Sequence, residues 1–263
     1  MALHDDEVAG LAARLDEAAL GGTAIPQVVS AAGASADDGY AVQAALLARR
    51  LARGERLTGL KMGLTSRAKM AQMGVDEVIW GRLTDAMEIT DGGPVDVAGL
   101  IHPRVEPEVA FLMGRDVAEG DDFASSVEAV APALELIDSR YADFRFSLPD
   151  VIADNTSASG YAIGPWRQPP AGLADLAVRL EIGGEVVESG STAAILGDPR
   201  NAFDEAVRLA ARHGVRLRKG WVLLAGAATA AVPLPAGAVV RAVVDGLGTA
   251  SLRTLPEEGG GRG

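Results

Sequence analysis

The chain of 263 residues is long enough for one large domain, or for a compact domain with a helical cap. A formal net charge of −12 with no block of basic residues argues against nucleic acid and anionic membrane as partners, since both call for clustered Lys and Arg. With no cysteine and only His4, His102 and His213, disulfide scaffolds, thiolate nucleophiles and Cys–zinc or multi-histidine centres drop out. Any bound metal is therefore a hard cation on oxygen ligands: magnesium, manganese or calcium. No apolar run approaches the ~20 residues of a membrane span, and the N-terminus lacks the regions of a signal peptide, which predicts a cytoplasmic protein.

The first third reads as helix. Over Asp6–Leu20 the apolar positions Val8, Leu11, Ala12, Leu15 and Ala19 keep helical spacing until Gly21-Gly22 ends it. A second helix starts near Ser35, with Asp38 as capping partner, and runs through Tyr40, Leu46, Leu47 and Leu51 to Gly54. Residues 66–74 form a short third helix stopped by Gly74. The texture then turns β-rich, with strands expected at Val95–Val97, Val105–Met113, Ala133–Ile137, Leu176–Ile182, Trp221–Ala225 and Val239–Val244. One helix interrupts them, from the start signal Asp198-Pro199 along the stripe Ala202, Phe203, Ala206, Val207, Leu209 and Ala210 to Gly214. Gly246-Leu247-Gly248 reads as a hairpin turn, with no dinucleotide fingerprint. The fold class is α+β: a helical cap over residues 1–58, a β-dominated catalytic domain over 59–256, and a disordered Gly-rich tail over 257–263.

The most informative segment is Val105-Glu106-Pro107-Glu108-Val109-Ala110-Phe111. On a strand, Glu106 and Glu108 share a face ~7 Å apart and repel unless solvated or bridged by a cation. Spacing alone also fits a solvated acidic face. Pro107 cannot donate to a ladder, which suits an edge or irregular strand. Glu135 sits in the otherwise apolar run Ala131-Pro132-Ala133-Leu134-Glu135-Leu136-Ile137, where a buried carboxylate needs a partner: a metal, or a distant cation such as Arg140. Three carboxylates would make an oxygen-rich site with coordination positions left open. Lys61, in the Gly-flanked stretch Gly59-Leu60-Lys61-Met62-Gly63, can hold an oxyanion or move a proton, or simply snorkel to the surface. The polar loop Asp154-Asn155-Thr156-Ser157-Ala158-Ser159-Gly160 can hydrogen-bond a carboxylate or serve as a capped turn. Gly226-Ala227-Ala228-Thr229 is a second, weaker anion cradle.

Taken in order, GLKMGLTSRAKMAQMGVDEVIWG from Gly59, then LIHPRVEPEVAFLM, LELIDSRY and ADNTS, this sequence resembles the hydratase/decarboxylase family of the fumarylacetoacetate hydrolase superfamily, from about residue 5 to residue 253. The resemblance implies metal ligands at Glu106, Glu108 and Glu135 and an active-site lysine at Lys61; with the polar loop and the second cradle, the expected substrate contacts are Asp154, Ser157, Thr229 and Ile79. It implies a Mg²⁺- or Mn²⁺-dependent carboxy-lyase of aromatic meta-cleavage pathways, acting on the small 2-oxo dicarboxylic acid 2-oxohex-3-enedioate. It further implies a homo-oligomer and a complex with the pathway hydratase. The family's hydratases carry an acidic residue where this chain has Ile79, and an apolar side chain there favours loss of a carboxylate over handling of water. Asp198 stands where these enzymes often have His, and Pro233 interrupts the segment after Thr229. The alternatives are a 2-hydroxypenta-2,4-dienoate hydratase, an acylpyruvate C–C hydrolase, and a non-catalytic partner subunit.

Overall fold

The computed structural model describes residues 2–66, 70 and 77–256, and it is an α+β structure. The helix expected at 66–74 falls mainly outside those residues, and the tail 257–263 wholly so. Helix α1 (Asp5–Gly21) opens on a capping box between His4 and Glu7. Helix α2 (Ala36–Ala52) opens on the box between Ser35 and Asp38 that its sequence signals. The two helices bury Leu11, Ala12, Leu15, Val42, Leu46 and Leu47 against each other and against Tyr141 and Ala153 of the β-rich part. Asp16 on α1 links them electrostatically, pairing with Arg49 on α2 at 2.8 Å and with Arg53, the residue that caps α2, at 2.7 Å.

The β-rich part is two sheets packed face to face. The larger follows the order β2 (Ile79–Thr84), β1 (Leu57–Gly63), β10 (Val222–Ala227), β5 (Arg104–Met113), β6 (Val127–Ile137), β7 (Ala158–Ile163) and β3 (Glu88–Ile89), with β11 (Val232–Pro233) beside β5. The smaller runs β4 (Pro94–Val95), β13 (Gly248–Thr254), β12 (Val239–Val244), β8 (Ala177–Ile182) and β9 (Glu185–Ser191). The expected hairpin turn at 246–248 joins β12 to β13. Further α-helices among the described residues are α3 (Phe123–Ser126), α4 (Leu148–Ala153) and α5 (Pro199–Arg212). Asp198 caps α5, its side chain accepting from the Arg200 N–H. No helix among the described residues is long and apolar enough to cross a membrane.

Strand alternation decides which side chains meet. On β5 and β6, Val105, Leu134 and Leu136 face the smaller sheet and meet Leu180, Val240, Ala242 and Leu252. Leu60 and Met62 of β1, with Val109 and Phe111, join the cluster around Phe203 and Ala206 of α5. The residues between them point to the opposite face. There the sheet curls: the hydroxyls of Thr58 on β1 and Tyr161 on β7 approach to 3.1 Å, although β10, β5 and β6 lie between those strands. Lys61, Glu106, Glu108 and Glu135 stand on this concave face.

Pro107 does not mark an edge, since β5 is internal. Its carbonyl accepts from the Ala228 N–H at 2.9 Å, so its nitrogen points to the same flank, in the interval between the end of β10 and the start of β11. The missing N–H falls where no strand partner is offered.

Candidate active site

The register of β5 on β6 sets Glu106 directly opposite Glu135, with Glu108 one alternation further along opposite Ala133. The three carboxylates each offer an oxygen within 4.8 Å of the others. All are buried, with Glu108 and Glu135 fully inaccessible, so the solvated acidic face is ruled out. Lys61 is also buried rather than snorkelling, and its Nζ lies 3.0 Å from Glu135 Oε2 and donates to the Thr156 carbonyl at 3.2 Å. Arg140, the alternative partner for Glu135, instead forms a close ion pair with Asp154.

Three carboxylates and one ammonium out of water leave an excess of negative charge. Burial first, then repulsion from Glu135 and Glu106, pushes Glu108 well above the usual carboxylate range. Burial also raises Glu135, to about 7, with Lys61 pulling it down and Glu106 pushing it up. Burial opposes the charge on Lys61, yet Glu135, Glu106 and Glu108 together hold its pKa above the ordinary lysine value. Among the described residues Glu108 Oε1 and Glu135 Oε1 are buried without a hydrogen-bond partner. A hard divalent cation fits this donor set in charge, oxygen chemistry and spacing. The second cradle serves the protein itself, since the Gly226 N–H donates to Glu108 Oε2 at 2.7 Å and the anion it holds is that carboxylate.

The cluster opens on a cavity of about 670 Å³, with Lys61, Glu106, Ile79 and Ser157 in its lining. Ile79, 3 % exposed, packs with Val151 and Ile152 and forms an apolar wall with Leu64 and Phe146. Beside it are Thr156 and Ser157, whose hydroxyls are buried and without hydrogen-bond partners among the described residues. They are held on the single 3-10 turn Asn155–Ser157, where all three residues adopt positive φ of 49°, 56° and 60°. Such backbone persists only when its surroundings over-determine it. Here the Asn155 side chain accepts from the Arg82 N–H and donates to the Arg82 carbonyl, both at 2.8 Å.

Two residues expected to touch a substrate stand apart from the cavity lining. Asp154 is fully buried and committed to Arg140, and the Thr229 hydroxyl bonds the Ala230 carbonyl at 3.0 Å. Sequence reasoning passed over Arg104, which is in the lining, and took Thr156, also in the lining, only as a member of the polar loop. The alternation that pairs Glu106 with Glu108 carries a signal for Arg104, two residues before Glu106 on the same face. Thr156 carries none beyond its neighbour Ser157.

A buried tricarboxylate site with an adjoining lysine, on the curled face of a sheet backed by a second sheet, defines a hard-cation enzyme class. The Fumarylacetoacetate (FAA) hydrolase C-terminal family matches residues 66–254, and the chain belongs to that family. A 4-oxalocrotonate decarboxylase of Pseudomonas sp. is 49% identical over 255 residues, covering 95% of this chain and 99% of that protein. A 2-keto-4-pentenoate hydratase of Burkholderia vietnamiensis is 38% identical over 252 residues, 93% and 96% of the respective chains. The solved structure of 4-oxalocrotonate decarboxylase from Pseudomonas putida G7, complexed with magnesium and adipate, superposes with a TM-score of 0.91 at 37% identity, covering 96% of this chain and 99% of that one.

Proposed function

We propose that this chain catalyses the divalent-cation-dependent decarboxylation of 2-oxohex-3-enedioate (4-oxalocrotonate) to 2-hydroxypenta-2,4-dienoate and CO₂ in aromatic meta-cleavage degradation. The observation that carries the reading is the buried set Glu106, Glu108, Glu135 and Lys61 opening on a cavity whose lining is apolar at Ile79. Glu106, Glu108 and Glu135 would hold Mg²⁺ or Mn²⁺, and the bound ion supplies Lewis-acid stabilisation at the 2-oxo group. Lys61 adds a fixed positive charge beside the oxygen on which negative charge develops. The C5–C6 bond breaks, its electron pair forms the C4–C5 double bond, and the C3–C4 pair shifts to C2–C3 as the C2 oxygen becomes an oxyanion. CO₂ departs and the oxyanion takes up one proton. The Ile79 and Val151 wall favours the step in which a carboxylate becomes a neutral molecule. Ser157 and Thr156 offer hydroxyls to the substrate's oxygens.

Hydration of 2-hydroxypenta-2,4-dienoate is the competing reaction of the related hydratase, and Ile79 speaks against it because it denies the site a carboxylate to manage water. The test incubates the purified chain with Mg²⁺ and 2-oxohex-3-enedioate, following CO₂ and products by NMR, with and without EDTA. CO₂ release that EDTA abolishes is expected. Conversion of 2-hydroxypenta-2,4-dienoate to 4-hydroxy-2-oxopentanoate with the six-carbon diacid untouched would replace this reading by the hydratase. The same reading includes a cytoplasmic location, a homo-oligomer and a complex with the pathway hydratase. Exposed Val186 and Val187 on edge strand β9 are apolar surface that an assembly would cover, and light scattering of the chain alone and with the hydratase tests both.

A further inference from the structure

One wall of the cavity is apolar, and the described cations in the lining, besides Lys61, are Arg104 and Arg145. Arg104 opens β5, two residues before Glu106, and at ~3.3 Å rise per residue its Cα stands ~7 Å from that of Glu106 on the same face. Its guanidinium carbon lies 4.7 Å from the centroid of the Phe144 ring. That ring is itself anchored, tilted against His102 at 5.0 Å and Phe146 at 5.8 Å. Asp143 and Phe144 both hold positive φ, 59° and 58°, so the platform sits on strained backbone. Among the described residues no carboxylate pairs with Arg104, although Asp143 shares the cavity rim and acidic residues outnumber basic ones 36 to 24.

Formal charge gives the arginine its role. Three carboxylates, Lys61 and a divalent cation sum to zero, so a dianionic substrate finds its countercharge, among the described lining residues, at Arg104 and Arg145. Arg145 is exposed and suits long-range attraction. Arg104 is half-buried, planar and pre-stacked, the geometry that grips a carboxylate with two N–H donors. A cation on the departing carboxylate would oppose its conversion to CO₂, whereas a cation on the other carboxylate leaves that step free. We propose that Arg104, stacked on Phe144, is the specificity residue that receives the C1 carboxylate of the 2-oxo acid and thereby turns the departing carboxylate toward the Ile79 and Val151 wall. This rests on the decarboxylase reading for the identity of the substrate.

The test separates binding from turnover with 2-oxohexanoate, which keeps the C1 carboxylate and 2-oxo group and lacks the far carboxylate. Its affinity for the Mg²⁺-supplied protein is measured by calorimetry. Arg104→Met is expected to weaken 2-oxohexanoate about tenfold to a hundredfold, the range of a lost charge-assisted contact. KM for 2-oxohex-3-enedioate should rise by a similar factor, with a smaller change in kcat and unchanged Mg²⁺ affinity. Arg104→Lys, which keeps the charge but loses the planar fork, should recover part of the affinity and serves alone if the methionine variant does not fold. Unchanged 2-oxohexanoate affinity in either variant overturns the proposal, above all if the diacid is weakened, because Arg104 would then hold the departing end. Failure of the parent protein to release CO₂ counts against the decarboxylase reading, while the 2-oxohexanoate measurement still decides the role of Arg104.

Discussion

Glu108 accepts a hydrogen bond from a backbone N–H that depends on glycine geometry. Gly226 has φ of 121°, and a Cβ at this position would stand 2.2 Å from Thr65 Oγ1, 2.6 Å from Cγ2 and 2.7 Å from Cβ. Gly226→Ala therefore forces a conformation that costs about 1–3 kcal/mol in a residue with a side chain. It also displaces Thr65 or swings the N–H away from Glu108, and a bond to a charged acceptor contributes about 1.5–3 kcal/mol. Together these give about 3–6 kcal/mol, which at about 2–4 °C per kcal/mol for a protein of this size lowers Tm by on the order of 10–20 °C. The assay is differential scanning calorimetry, paired with Mg²⁺ titration, where weaker binding is expected because Glu108 loses its orientation. Gly214→Ala is the control: φ there is 68° with nothing within 4 Å of the added Cβ, so only a conformational cost of about 1 kcal/mol remains. Equal Tm values for the two variants, with unchanged Mg²⁺ affinity, would refute the link between the Gly226 turn and the carboxylate cluster.

Glu106→Gln, Glu108→Gln and Glu135→Gln should each weaken Mg²⁺ binding and nearly abolish turnover, since each removes a charge from the cation site; full activity and affinity in Glu135→Gln would refute its role as a ligand. Lys61→Met should lower kcat more than it raises KM, and a change in KM alone would make Lys61 a substrate-binding cation only. Ile79→Asp places an unpaired carboxyl in a wall that is 3 % exposed, and steady-state assays should find decarboxylation largely lost with at most a trace of hydration. Asp16→Asn removes the link between α1 and α2 and should cost about 1–3 kcal/mol. Burial pushes the Asp16 carboxyl up, but hydrogen bonds and charge from Arg53 and Arg49 bring it below the ordinary value of 3.8. Its contribution is therefore present above pH 3.8 and is lost as pH falls through the lower folded pKa, so the parent and Asp16→Asn stability curves should converge only in acid.

The parts of this fold legible in the sequence are those specified by local chemistry. Ser35 with Asp38 and Asp198 with Pro199 announce helices α2 and α5, and the structure starts both within a residue of those signals. Of the missed strands, β1, β2, β7 and β13 contain Gly59, Gly63, Gly81, Gly160 and Gly248, residues that weaken strand propensity taken alone. Glu106 and Glu108 were legible as a pair on one strand face, and Glu135 as a carboxylate in an apolar run. That Glu135 joins the pair followed only from the family resemblance, because the contact arises from the register that sets Glu106 against Glu135, 29 positions on. Asp154 shows the same limit from the other side. In D-N-T-S it looks as available to a ligand as its neighbours, and only the fold brings Arg140 against it and sets Thr156 and Ser157 in the cavity lining with their hydroxyls unpartnered among the described residues. A polar loop thus divides its residues between holding the turn and meeting the substrate. That division is set by partners distant in sequence: Arg140 for Asp154, and the Arg82 backbone for Asn155.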